Sequence, residues 1–231
     1  MGYLIFRGVS TEDLGNVYVS RMPSHKKASV RMTEYYVKGR DGALHVNEGY
    51  ANFDIQVTLV LVNADVEKRQ IVNAWADGTG KLITSDDLTK AYKATVVEGA
   101  EWARVEANGG FYDSATITFN CEPFMYEAEE TAAVFTESGT LTNPGSATAF
   151  PLIKVEGSGD VSFVFAGSTI RINGVTSGVP VFIDCENGYV YTASGAATMV
   201  GDIPELGLGS NYVVFGSGVS KITVNPRWRW V

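Results

Sequence analysis

Apolar and polar residues alternate most cleanly over residues 53–62. Phe53, Ile55, Val57 and Leu59 occupy one phase, while Asp54, Gln56 and Thr58 occupy the other. A period of two predicts a strand with one buried and one wet face. Shorter runs of the same kind stand at Leu4–Phe6, Val17–Val19, Glu34–Val37, Lys81–Thr84, Tyr92–Val97, Trp102–Glu106 and Ala115–Cys121. Asp41-Gly42, following the strand that ends at Val37, signals a hairpin turn. Pro123 is expected to stop the last of these ladders, because proline has no N–H to donate.

One segment changes period. Asp65 can cap a helix over Val66–Asp77 that Gly78 ends. Ile71, Val72 and Trp75 form its apolar stripe, and Glu67, Lys68 and Arg69 face away. The reading is a single amphipathic helix packed on a sheet.

Beyond residue 138 the pattern is strand and turn only. Candidate strands are Leu152–Glu156, Val161–Phe165, Thr169–Ile172, Val181–Asp184, Tyr189–Thr192, Asn211–Phe215 and Lys221–Val224. Short glycine-rich breaks between them indicate a small sandwich or jelly roll. Asn173-Gly174 and Asn187-Gly188 are expected to form type I′ turns.

Composition shifts at the same place. Residues 1–138 hold 13 basic and 20 acidic residues; residues 139–231 hold 5 and 6, but 14 of the 25 glycines. With the small polar run Thr136–Gly145, this places a domain boundary at 138/139. The fold class expected is mainly β: two tandem β-sandwich domains, 1–138 with one α-helix and 139–231 of jelly-roll type.

Charge and composition narrow the function. A formal net charge of −8 argues against a protein that grips nucleic acid by neutralising phosphates. Cys121 and Cys185 lie far apart in apolar runs and read as buried free thiols. The first ten residues lack a basic leader and a long apolar core, so no signal peptide is expected, and no run approaches a membrane span.

Candidate chemistry is sparse. Gly78-Thr79-Gly80-Lys81 is not a phosphate loop, since Trp75 stands where a glycine is needed and Leu82 where Ser or Thr is. His25 and His45 have no neighbours at metal-ligand spacing. Asp86-Asp87, Glu129-Glu130 and Asp184/Glu186 read as solvated turn acids rather than a hydrolytic pair. No enzyme, cofactor or metal is expected.

Two groups stand out as contact surfaces. Arg21, His25, Lys26, Lys27 and Arg31 make a basic loop, suited to solvent or to ion pairs with a neighbouring subunit. Trp228 and Trp230 close the chain and are the best candidates for an inter-domain or inter-subunit contact. Trp102, Phe111, Tyr112, Phe119, Phe124 and Tyr126 are read mostly as core, although exposed aromatics can also stack on sugars.

The order of pieces over residues 1–126 resembles the N-terminal domain of siphophage distal tail (Dit) proteins. The matching pieces are Val37–Gly42, the Asn52–Val62 strand, the helix ending in Ala74-Trp75, Gly80–Ile83 with Ser85-Asp86, Tyr92–Ala94 and Phe119–Phe124. Residues 139–231 are similar to the family's galectin-like sandwich through Asn143–Gly145, Ala149, Pro151–Ile153, Gly157, Gly159, Ile183-Asp184, Val190-Tyr191, Ile203–Leu206, Gly209–Asn211 and Val224–Trp228. Asn225-Pro226-Arg227 also occurs in the sugar-binding strand of true galectins. Here it is read as coincidence, because both histidines lie in the other domain.

The resemblance implies a non-enzymatic structural protein at the virion tail tip, made in the host bacterial cytoplasm. It implies a homo-hexameric ring joining the tail tube protein to the tail-associated lysin or the end of the tape measure. The outer domain would carry receptor-binding proteins or meet a host glycan. The alternative is a carbohydrate-binding module built on the second domain. Sequence-specific nucleic-acid reading and membrane insertion are not expected.

Overall fold

The computed structural model describes residues 2–62, 65–107 and 110–231. It is mainly β, with one α-helix, and divides into two compact units at Ala128/Glu129. That division precedes the compositional shift at 138, because the strand Ala133–Phe135 pairs with the strand Val219–Asn225 of the second unit.

The first unit contains β1 (Leu4–Phe6), β2 (Val9–Ser10), β3 (Val17–Val19), β4 (Val30–Tyr35), β5 (Leu44–Tyr50), β6 (Phe53–Val62), α1 (Val66–Trp75), β7 (Thr79–Thr84), β8 (Asp87–Glu98), β9 (Ala103–Ala107) and β10 (Gly110–Glu127). Eight of the strands make one antiparallel sheet in the order β2-β1-β7-β8-β10-β6-β3, with β9 beside β10. Leu4, Phe6, Val57, Leu59, Leu61, Leu82, Ile117 and Phe119 are wholly buried on one face. The sheet curls round that single core, with the helix packed into it. Phe6, Trp75 and Phe119 meet edge to face at its centre, with centroids 5.1–6.2 Å apart, the geometry aromatic quadrupoles prefer.

Asp65 caps α1 as its position predicts, its carboxylate accepting from the Lys68 N–H at 2.8 Å. Val72 and Trp75 are buried, whereas Ile71 stays on the exposed flank. At 100° per residue, Ile71 falls outside the narrow stripe that meets the sheet. Pro123 does not end its strand. β10 runs on to Glu127, and its pairing with β8 skips from Cys121↔Ala94 to Met125↔Tyr92. The register break absorbs the missing donor, as bulges do.

The second unit contains β11 (Ala133–Phe135), β12 (Gly139–Asn143), β13 (Leu152–Gly157), β14 (Gly159–Phe165), β15 (Ser168–Val175), β16 (Val181–Asp184), β17 (Tyr189–Thr192), β18 (Gly195–Ala196), β19 (Gly209–Phe215) and β20 (Val219–Asn225). A six-stranded sheet, β11-β20-β13-β16-β17-β18, and a four-stranded one, β12-β19-β14-β15, form a sandwich. Ile153, Val155, Ile183, Ile222 and Val224 from the first sheet share a core with Phe163, Phe165, Ile170 and Val213 from the second. Asn187-Gly188 lies at a turn, but only Gly188 has positive φ, so it is not type I′. Asn173-Gly174 is no turn at all: both residues lie within β15. Gly174, at φ +66°, donates its N–H to Asp160 where the β14–β15 register shifts.

Candidate assembly surfaces

Among the described residues, the β4–β5 hairpin pairs with no other strand. Its register sets Thr33 against Val46, Glu34 against His45 and Tyr35 against Leu44. Alternation therefore puts Tyr35, Leu44 and Val46 on one face, and Met32, Glu34 and His45 on the other. Tyr35 is 54% exposed and Tyr36, just beyond β4, is 78% exposed. Local polar contacts tie the ribbon's side chains to its own backbone and to each other. Arg31 donates to the Glu48 carbonyl at 2.9 Å, Tyr36 donates to the Glu34 carboxylate at 2.8 Å, and His45 stands 3.6 Å from Glu34. Its base is fixed by the Ala51 N–H on the Ser29 carbonyl and by Tyr50 against Phe124. Isolated two-stranded ribbons are marginal in water; this one presents apolar side chains on both faces.

Residues 22–29, which form no helix or strand, lead into the hairpin. Ala28 is buried, and His25 Nε2 lies 2.5 Å from Asp86 Oδ2, with Nδ1 3.4 Å from the Tyr92 hydroxyl. The Asp86 carboxyl is held below its ordinary range, chiefly by a hydrogen bond from Thr84 and then by His25, against the opposing effect of burial. Lys26 Nζ donates to the Asp54 carbonyl at 3.2 Å. Arg21, Ser24, Lys26, Gln56 and Thr58 line a polar recess of about 590 Å³. The structure thus brings Arg21 and Lys26 to one recess and leaves Lys27 exposed beside it.

Trp228 and Trp230 belong to the second unit. Trp228 is 6% exposed inside that unit's own core, and Trp230 packs partly against it. The segment between them is stitched down: Arg229 donates to the Thr148 carbonyl, its guanidinium lies 4.4 Å from the Phe150 ring centroid, and its carbonyl accepts from Ser146 and Ala147.

Two charged clusters join acids to arginines elsewhere in the chain; of their members, the sequence pattern singles out only the Asp184/Glu186 pair. Asp113, 1% exposed, takes the Nε–H of Arg69 at 2.6 Å and of Arg104 at 3.1 Å. A signal for it exists, because Asp113 occupies the inward phase of β10 with Ala115, Ile117 and Phe119. In the second unit, Arg227 reaches Asp184 at 2.7 Å and Glu186 at 3.1 Å. Of the acids weighed as catalytic candidates, Asp86 pairs with His25, Asp87 accepts from the Thr89 N–H and hydroxyl, and Asp184 and Glu186 pair with Arg227. Among the described residues, no three His, Cys, Asp or Glu side chains are placed to hold a metal ion, and no helix is long and apolar enough to cross a membrane.

No protein-family model matches the chain, and no curated protein matches it in sequence. Solved structures do match in fold. The SPP1 Dit (gp 19.1) protein, described as a paradigm of the hub adsorption apparatus in phages that infect Gram-positive bacteria, aligns over 100% of both chains, with a TM-score of 0.76 and 16% identity. A chain of the phage p2 baseplate in its activated conformation with Sr aligns over 99% of each chain, at a TM-score of 0.47 and 9% identity. The resemblance read from the sequence thus holds in three dimensions: from end to end, this chain has the fold of the SPP1 distal tail protein.

Proposed function

We propose that this chain is a structural distal tail protein of a long-tailed phage or prophage. It forms a homo-hexameric ring at the tail tip, between the tail tube and the host-adhesion apparatus. The observation that carries this reading is the β4–β5 hairpin, a ribbon that pairs with no other described strand and leaves Tyr35, Tyr36, Leu44 and Val46 between 40% and 78% exposed. A ring is built from heterologous contacts, in which one surface of a subunit meets a different surface of the next. A projecting hairpin is suited to the first role. Arg21, Lys26 and Lys27, on the stretch from which it springs, supply charged contacts at the same interface, and Trp230 offers a further contact in the second unit. The ring docks on the tail tube protein on one side. On the other it meets the tail-associated lysin or the end of the tape measure, and the second unit contacts receptor-binding proteins. The role involves no catalysis.

Light scattering on the purified full-length chain tests this reading. Six copies of the 24.9 kDa chain are expected in one particle, with six-fold rings in negative-stain images. Replacing residues 31–49 by a short Gly-Ser turn is expected to give a folded monomer. A full-length chain that stays monomeric at high concentration, or a hairpin-less chain that still forms rings, refutes it.

A further inference from the structure

In the first unit, the edge of β6 opens into the polar recess beside the hairpin's root. β3 accompanies β6 as far as the Ser20 N–H, which donates to the Thr58 carbonyl at 2.9 Å. The Val62 N–H donates to the Asn16 carbonyl in the same phase. The even-numbered residues of β6 therefore turn their backbone N–H and C=O groups towards β3, and alternation carries that direction on to Gln56 and Asp54. No strand continues there, because residues 22–29 form none. Lys26 Nζ caps the Asp54 carbonyl at 3.2 Å. The Gln56 N–H, which the same phase turns towards the recess, has no partner among the described residues.

The side chains round this edge are mostly donors with little to hold. Arg21, Ser24 and Gln56 line the recess, and none of the three side chains has a hydrogen bond or ion pair among the described residues. Lys26 uses one of its three N–H groups on Asp54. The Thr58 and Thr116 hydroxyls answer each other at 3.1 Å. One acid lines the recess, Asp54, and its Oδ1 accepts from the Asn120 amide at 2.8 Å. Two cations against one anion leave the lining positive, in a chain whose formal net charge is −8. The volume of about 590 Å³ has room for an anionic group and the residue that carries it.

We propose that this recess is an oxyanion-binding site that takes a carboxylate or phosphate group. Arg21 offers paired N–H groups to two oxygens and Lys26 offers a point charge. The Gln56 N–H and the Ser24 hydroxyl complete the set of donors. Positive charge alone does not single out the place: Lys27 carries the same charge next door, but it does not line the recess. The site deepens the charged contact given above to Arg21 and Lys26. It rests on the ring reading only for the source of the oxyanion, which is either an acidic side chain of a neighbouring copy or a free phosphate.

The test is calorimetric titration of the full-length chain at low ionic strength, because exposed charges are screened by salt. The probes are inorganic phosphate and N-acetylglutamate α-amide, a mimic of an acidic side chain. Each titration is run on dilute, dissociated chain and on concentrated chain, with the particle mass followed by light scattering. At least one probe is expected to bind the dilute chain with a Kd in roughly the millimolar range. Arg21→Gln and Lys26→Gln are each expected to weaken binding about tenfold, and Lys27→Gln to leave it unchanged. All three side chains are exposed, so unchanged melting temperatures are expected and show that the variants fold. Binding that vanishes on assembly assigns the oxyanion to the neighbouring copy, and binding that persists assigns it to a free anion. A dilute chain that binds neither probe, or binding weakened as much by Lys27→Gln, overturns the proposal. If the ring resists dilution, the site requires one of two results: a probe binds the ring, or Arg21→Gln and Lys26→Gln lower the ring's melting midpoint more than Lys27→Gln does. Absence of both overturns it. A chain that never assembles leaves the titration intact, so the failure of the ring and the failure of this site are read separately.

Discussion

The Arg69 guanidinium lies against the buried Asp113 carboxylate, Nε to Oδ2 at 2.6 Å, and ties α1 to β10. Arg104 of β9 closes the other carboxylate oxygen. Burial alone would raise the Asp113 carboxyl, but the hydrogen bonds from Arg104 and Arg69 outweigh it and hold the group below its ordinary 3.8. A depressed folded value stabilises the native state above the unfolded value and is lost as pH falls through the folded one. Asp113→Asn is therefore expected to cost about 2–3 kcal/mol at neutral pH, less than a fully enclosed pair because both arginines reach solvent. The melting temperatures of the variant and the parent should converge as pH drops below that ordinary value. A constant gap down to strong acid would show that the amide fails for steric reasons instead.

Trp228→Ala should unfold the second unit rather than merely loosen an assembly. The side chain sits within the core shared by both sheets of the sandwich, and truncating a buried tryptophan costs about 3–5 kcal/mol. Calorimetry is expected to show the second unit melting at lower temperature with the first unchanged. If only the oligomer mass changes, the residue acts between subunits.

Gly157 admits no side chain. A Cβ there would be driven into the Gly218 carbonyl, where β13 closes on the turn before β20. Both partners are backbone, so relief requires the strands to part. Gly157→Ala is expected to cost about 1–3 kcal/mol, read as a drop in the denaturation midpoint. Gly167→Ala is the contrast. No heavy atom lies within 4 Å of the added carbon, and only the positive φ of +89° is strained.

Both cysteines are buried free thiols. Burial pushes each to about 12, aided by Asp54 at Cys121 and by Asp184 at Cys185. Because the thiolate is the reactive form, neither is expected to react with a disulfide reagent at pH 8 in the native protein. Two equivalents should react once the chain is denatured. Fast labelling of one thiol in the native state would mean that its unit opens locally.

Several elements were legible because local chemistry settles them. The alternation from Phe53 to Leu59 is a strand whatever surrounds it, and Asp65 caps α1 through a contact three residues away. The Asp41-Gly42 signal lies in the connection between β4 and β5. Elements decided by distant partners were not legible. Asn173-Gly174 carries a hairpin signature, yet Gly174 uses its positive φ inside β15, opposite a register shift. Pro123 reads as a ladder end, yet β10 continues past it because β8 resumes pairing at Tyr92. Ala133–Phe135 carries too short a pattern to be read as a strand until β20 is beside it.

By itself the sequence determined the class: a β protein of two units with one helix, apolar in phase, acidic in sum, with no catalytic constellation spelled out along the chain. These properties follow from residues within one strand or one turn of each other. Tertiary structure alone decided which surfaces remain uncovered. Tyr35 and Tyr36 could have been core by their composition, and Tyr189 and Tyr191 could have faced inward. Whether an aromatic is buried depends on which strand arrives opposite it, and strand partners here are separated by up to 91 positions, as between Ala133 and Val224.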